Sequence, residues 1–281
     1  MTIQTALRQG SRLLEDAGVA APRLTAEVLL CHALHCERSY LYGHPEQELE
    51  QTTWLHYGRY LHERLNGTPT QYITKRQEFY GREFRVTPAV FIPRPETEHI
   101  VETALRLAPD ARTVVDVGCG SGAIAVTLSL EMRRMVLATD ISLDAIAAAR
   151  ENACRLGAAV EFINCDLISA VADGSMDLIV SNPPYIPLAE EEGLQREVRD
   201  YEPRAALYAG PEGLDAYSRL IADAARVLAP GGRLIMELGY RQIDAIRAMF
   251  GPAWSELEAV SDLAGFPRVL AARFTCGAAA S

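Results

Sequence analysis

Thr113-Val114-Val115-Asp116-Val117-Gly118-Cys119-Gly120-Ser121-Gly122-Ala123, "TVVDVGCGSGA", decides the fold of this chain. A short β-branched run ends in alternating glycines, and the apolar "AIAVTLSL" follows directly. β-Branched residues suit a buried strand, and glycine lets the backbone turn sharply and approach a ligand closely at the start of a helix. Strand, glycine turn and helix in that order form the first unit of an open, mostly parallel sheet. Gly118, Gly120 and Ala123 also satisfy the dinucleotide pattern G-x-G-x-x-A, so the loop alone leaves its ligand open.

Downstream the alternation continues. The short apolar runs "MVLATD", "VEFINC", "DLIVSN" and "RLIMELG" are separated by helical segments such as "SLDAIAAARENACRLG" and "LDAYSRLIADAARVLAPGG". Strands alternating with helices predict an α/β, doubly wound sheet with helices on both faces. "SELEAVSD" and "RVLAARF" predict a closing hairpin. Upstream, residues 1–72 carry apolar residues at three- and four-residue spacing and read as helices, one ending near Gly18, one opening after Pro22 and one stopping at Asn66-Gly67. Between the two regions, "EFYGREFRVTPAVFIPRPETE" flanks Gly81 with β-branched and aromatic residues, which predicts a hairpin. The expected organisation is a small all-α domain over 1–72, a β-hairpin linker over 73–92 and a sheet domain over 93–281.

The 281 residues suffice for two such domains, and no tract is long and apolar enough to span a membrane. "MTIQTALRQGSRLLEDAG" lacks a basic-then-apolar leader, so a cytoplasmic protein is expected. Six irregularly spaced cysteines fit reduced thiols. "CHALHC" puts Cys31 with His35, and His32 with Cys36, four apart on a helix; two ligands per face leave a tetrahedral site incomplete, so no metal is expected. Net charge is −10, and all of it falls in residues 91–281, where 27 Asp/Glu face 17 Lys/Arg. An acidic sheet domain argues against broad binding to nucleic-acid phosphates.

The candidate site residues lie at strand ends. Asp140 closes the second strand about twenty residues beyond the glycines, where a carboxylate can accept from both hydroxyls of a ribose. Asp166 follows the third strand as a candidate partner for an adenine amino group, with Leu167 beside it as an apolar face. The fourth strand stops at Asn182-Pro183-Pro184-Tyr185, "NPPY". Tandem proline cannot continue a central strand and makes the exit stiff and extended. Such an exit can hold the Asn182 Oδ1 and the Pro183 carbonyl toward the two N–H groups of a planar nitrogen, while Tyr185 stacks on the planar group. All six histidines precede the glycine loop. That agrees with a reaction needing no strong base, since an amide nitrogen becomes very acidic once alkylated. On this reading Asn182→Asp, which keeps an oxygen acceptor, is expected to retain more activity than Asn182→Ala.

"DVGCGSGA" with "NPPY" resembles the class I S-adenosylmethionine-dependent methyltransferases that alkylate planar nitrogens. With "FIPRPETE" (Phe91–Glu98), "YEPRAALYAGPEGL" and the helical N-terminal region, essentially the whole chain resembles the peptide chain release factor glutamine methyltransferases, the HemK/PrmC family. The resemblance implies S-adenosyl-L-methionine as cofactor, S-adenosyl-L-homocysteine as product, and peptide chain release factors as protein substrates. The methylated group would be the side-chain amide of the glutamine in their Gly-Gly-Gln motif. It implies that Gly118, Gly120 and Gly122 line the methionine part of the cofactor, that Cys119, Ser121 and Asn182 also contact the cofactor, that Asp140 holds the ribose, and that Asn182, Pro183, Pro184 and Tyr185 grip the glutamine. Pro93 to Glu98 would pack over the cofactor, and an Arg94–Glu96 ion pair is the alternative for that segment. Leu167 departs from relatives with an aromatic residue there, so apolar packing rather than stacking is expected. No nucleic-acid or membrane partner is expected, and a monomer is. A DNA adenine-N6 methyltransferase is the alternative, because the same four residues can grip an adenine amino group.

Overall fold

The computed structural model describes residues 1–262 and 264–275, which divide into two units. One comprises Met1–Arg76 together with Gln195–Tyr201; the other comprises Gln77–Leu194 and Glu202–Ser281, of which residues up to 275 are described.

The first unit is helical. Thr2 caps helix Ile3–Asp16 by accepting from the Thr5 N–H, and helix Pro22–Leu34 opens on proline, whose missing N–H costs nothing at a first turn. With helix Gln51–Leu65 they enclose Ile3, Leu14, Leu29, Leu30, Tyr57 and Leu61. Helix Arg196–Tyr201, distant in sequence, completes this unit. The buried Arg64 pairs with Glu197 at 2.7 Å, and the Tyr201 hydroxyl donates to the Asn66 carbonyl at 3.0 Å. A contiguous N-terminal domain did not anticipate this segment.

The second unit begins one residue into a hairpin of β1 (Arg76–Phe79) and β2 (Arg82–Arg85), which turns through Tyr80 and Gly81, both at positive φ. Phe79 and Phe84 meet edge to face at 6.1 Å and lie in the sheet unit's core. Asn152 clamps the exit by accepting from the Arg85 N–H at 2.8 Å and donating to the Arg85 carbonyl at 2.9 Å. The hairpin is therefore packed into the sheet unit rather than free-standing.

Seven strands follow: β3 (Val114–Val117), β4 (Val136–Asp140), β5 (Val160–Asn164), β6 (Met176–Ser181), β7 (Leu228–Glu237), β8 (Trp254–Ser261) and β9 (Pro267–Phe274). Their order is β5-β4-β3-β6-β7-β9-β8, with only β9 antiparallel to its neighbours. Val114 packs into the apolar layer on one face, and Val115 and Val117 into the layer on the other, so β3 is buried throughout. One boundary differs from expectation: "LAPGG" belongs to β7, not to the preceding helix. Pro230 and the two glycines cannot extend a helix, and the ladder to β6 is irregular between Met176 and Leu178.

The chain leaves the sheet centre in two directions, and the register fixes what meets there. Val117 pairs with Thr139 on one side and Ser181 on the other. The next residues, Gly118, Asp140 and Asn182, therefore emerge side by side at the carboxyl ends of three adjacent strands. In open α/β sheets ligands bind in the crevice at this switch point.

Candidate active site

A cavity of about 550 Å³ opens at that crevice. Gly118, Cys119, Gly120, Ser121, Asp140, Asp166, Leu167, Asn182, Pro184 and Tyr185 line it, while Gly122 and Pro183 do not. Gly122 starts helix Ala123–Met132 at φ 80°, and a Cβ there would sit 3.0 Å from that of Ala149. Close helix packing is thus by itself enough to require glycine at this position. Pro183 is buried, which leaves only its backbone carbonyl for a ligand.

Asp140 anchors the loop. One carboxylate oxygen accepts from the Gly120 N–H and the other from the Ser142 N–H, each at 2.9 Å. The Gly118 and Cys119 N–H groups both donate to the Thr139 carbonyl at 2.9 Å. A carboxylate held this way keeps lone pairs for a ribose diol. Ile141, 65% exposed, also lines the cavity and was missed from sequence; an apolar residue directly after a strand-end carboxylate was the available signal. Asp166 pairs with Arg219 at 2.5 Å, and Leu167 takes a left-handed φ of 47°, a conformation that local packing must enforce on a branched side chain.

The wall opposite is built by "FIPRPETE" and "NPPY". Pro93 and Thr97 line the cavity. Arg94 pairs with the buried Glu202 and not with Glu96, and lies over the Phe91 ring at 4.7 Å. Glu202 also accepts from the Ile92 N–H at 3.2 Å, so "YEPR" clamps "FIPR". Asn182 Nδ2 donates to Thr97 Oγ1 at 3.1 Å, and that hydroxyl donates to Glu237 Oε2 at 2.6 Å. The Tyr185 hydroxyl donates to Glu237 Oε1 at 3.3 Å, which turns the phenol inward and leaves its ring on the cavity.

Two carboxyls in this unit are unusual. Burial raises Glu237 to about 7, against the lowering effect of its Thr97 and Tyr185 donors. Burial likewise raises Asp116 to about 7; its Oδ2 accepts from the Ala125 N–H at 3.0 Å, and its Oδ1 has no partner. Burial also pushes the Cys119 thiol well above its usual range, so it is inert as a nucleophile. Among the described residues, no three His, Cys, Asp or Glu side chains cluster as metal ligands.

Comparison with known proteins identifies the lineage. Residues 5–74 match the family described as PrmC N-terminal domain, and residues 97–196 match the methyltransferase small domain. A curated protein of Koribacter versatilis, "Release factor glutamine methyltransferase", is 46% identical over 277 residues, covering 97% of this chain and 99% of that one. The chain belongs to the release factor glutamine methyltransferase family. Solved methyltransferases share its fold over most of its length. One from Pyrococcus furiosus has a TM-score of 0.54 at 17% identity, covering 78% of this chain and 99% of its own. A T. thermophilus 16S rRNA N2 G1207 methyltransferase, in complex with AdoMet and guanosine, has a TM-score of 0.50 at 20% identity, covering 71% and 49%. As a member of the release factor glutamine methyltransferase family, this chain is an S-adenosylmethionine-dependent methyltransferase with the class I fold. The cavity fits that cofactor: it has the size of a small-molecule site, a glycine loop on one wall and a backbone-anchored carboxylate at ribose distance from it in sequence. No helix among the described residues is long and apolar enough to cross a membrane.

Proposed function

We propose that this enzyme methylates the side-chain amide nitrogen of the glutamine in the Gly-Gly-Gln motif of class-1 peptide chain release factors. Gly118, Cys119, Gly120 and Ser121 hold the methionine part of the cofactor, Asp140 the ribose, and Asp166, Leu167 and Ile141 surround the adenine. When bound, S-adenosylmethionine supplies an electrophilic methyl on a sulfonium sulphur. The chain supplies position. Asn182 Oδ1 and the Pro183 carbonyl accept the two amide N–H bonds, which turns the nitrogen's π-shared lone pair toward the cofactor side of the cavity, and the Tyr185 ring holds the amide plane. Water is excluded by Pro93, Thr97 and Pro184.

The observation that carries this reading is the bond from Asn182 Nδ2 to Thr97 at 3.1 Å. It commits the donor end of the amide to the protein and leaves the acceptor end for a substrate N–H. None of the chemical tasks assigned above falls on the helical unit, so recognition of the release factor falls to it. A translation factor as substrate carries with it a cytoplasmic site of action. The test offers purified protein and labelled S-adenosylmethionine a release factor or duplex DNA, and locates the modified residue by mass spectrometry. Label on the Gly-Gly-Gln glutamine, lost in Asn182→Ala by about 10²–10³ in rate, is expected. Label on adenine would overturn the reading.

A further inference from the structure

Asn182 ends a line of hydrogen bonds whose direction is set elsewhere. The two ends of a carboxamide are nearly isosteric, so shape does not decide which one a ligand meets. Here the decision comes from Glu237. As a carboxylate it has no hydrogen to give, and it takes the single hydrogen of Thr97 at 2.6 Å and that of Tyr185 at 3.3 Å. Thr97 Oγ1 is left with lone pairs only. The group that satisfies them, at 3.1 Å, is the Asn182 amide, and it can do so only with Nδ2. Reversing the amide would set Oδ1 against those lone pairs and an NH₂ against an incoming N–H. Thr97 is 4% exposed and Glu237 3%, so the bond between them is sealed from bulk water.

We propose that Thr97 and Glu237 are positioning residues that fix the Asn182 amide with its oxygen toward the methyl-accepting nitrogen. The proposal rests on Asn182 being that nitrogen's acceptor. The three residues come from separate elements, the 3₁₀ turn Pro95–Thr97 and the ends of β6 and β7, so the relay also ties the turn to the sheet.

The test measures single-turnover methylation of a release factor at pH 8, on the carboxylate side of the raised Glu237 value, with cofactor affinity by calorimetry. Thr97→Val removes the hydroxyl at constant shape. It is expected to lower the transfer rate by about 10–100-fold, with KM for the release factor and Kd for S-adenosylmethionine within about threefold of wild type. Thr97→Ser restores the hydroxyl and is expected within about threefold of the wild-type rate. In an Asn182→Ala background Thr97→Val should cost nothing more, because it acts only through Asn182; a general structural role would multiply the two losses. Should Thr97→Val not fold, Thr97→Ala carries the same comparison. A wild-type rate in Thr97→Val beside a slow Asn182→Ala overturns the positioning role and leaves the proposed function standing. Fully multiplicative losses do the same. A wild-type rate in Asn182→Ala overturns both.

Discussion

Asp116→Asn should reverse a pH-dependent weakness at the sheet centre. Asp116 is wholly buried, and burial raises its carboxyl from 3.8 to about 7. A carboxyl raised on folding contributes stability that is fully present below its unfolded value and is lost as pH rises through the folded one. With 3.8 taken for the unfolded chain, linkage puts the loss at about 1.5 kcal/mol by pH 5 and about 4 kcal/mol by pH 8. Asn keeps an oxygen for the Ala125 N–H but puts an NH₂ where Oδ1 now has no partner, a cost that does not vary with pH. The variant-minus-wild-type stability should therefore rise by about 2–3 kcal/mol between pH 5 and pH 8, or roughly 5–10 °C in Tm for a domain of this size. Glu237 titrates in the same window, but it is present in both proteins and cancels in the difference. Differential scanning calorimetry of cofactor-free protein at the two pH values is the assay. A Tm difference that stays flat from pH 5 to pH 8 would refute the argument, because it would mean that the buried carboxyl does not titrate in the folded state as its surroundings demand.

Asp140→Asn is expected to weaken cofactor binding at least tenfold by calorimetry, since one of its two oxygens, each now facing a backbone N–H, becomes a donor; an unchanged Kd would remove Asp140 from the site. Asn182→Asp should be no faster than Asn182→Ala at pH 8. It would bring a second carboxylate to a Thr97 hydroxyl whose one hydrogen already goes to Glu237, and single-turnover rates decide the order. Phe84→Ala should cost about 3–5 kcal/mol in urea unfolding of the sheet unit, because the ring is fully buried against Phe79. A loss below about 1 kcal/mol would show the hairpin to be a mere connector.

Local chemistry made much of this fold readable. A β-branched run closed by glycines announced β3, short apolar runs alternating with helical segments announced the sheet, and the stiff Asn-Pro-Pro exit marked the end of β6. Asn182 was legible as an acceptor for the same reason. Its orientation was not, because Thr97 and Glu237 lie 140 residues apart and nothing near either one names the other. The expectation that Asn182→Asp outperforms Asn182→Ala gives way to the opposite prediction at that point: it counted oxygens and could not include Thr97, whose one hydrogen goes to Glu237. Gly122 shows a different limit. Glycine is required both where backbone approaches a ligand and where a helix crosses close to another, and the residue type is identical in the two cases. The helical unit's last segment was hidden because a short, charge-rich stretch such as Arg196–Tyr201 does not declare which unit it joins.

That late helix bears on how the protein is made. Synthesis delivers the chain from its N-terminus, and domains ordinarily fold in that order as they emerge. Here the bundle of Met1–Arg76 receives its final helix only when Tyr201 has left the ribosome, after β3, β4, β5 and β6 have already appeared. Until then Arg64 lacks Glu197, and Asn66 lacks the Tyr201 hydroxyl. The nascent chain must keep an incomplete bundle waiting while half of the sheet is translated. A stalled chain ending before residue 195 should expose that bundle to protease, and one released past residue 201 should not.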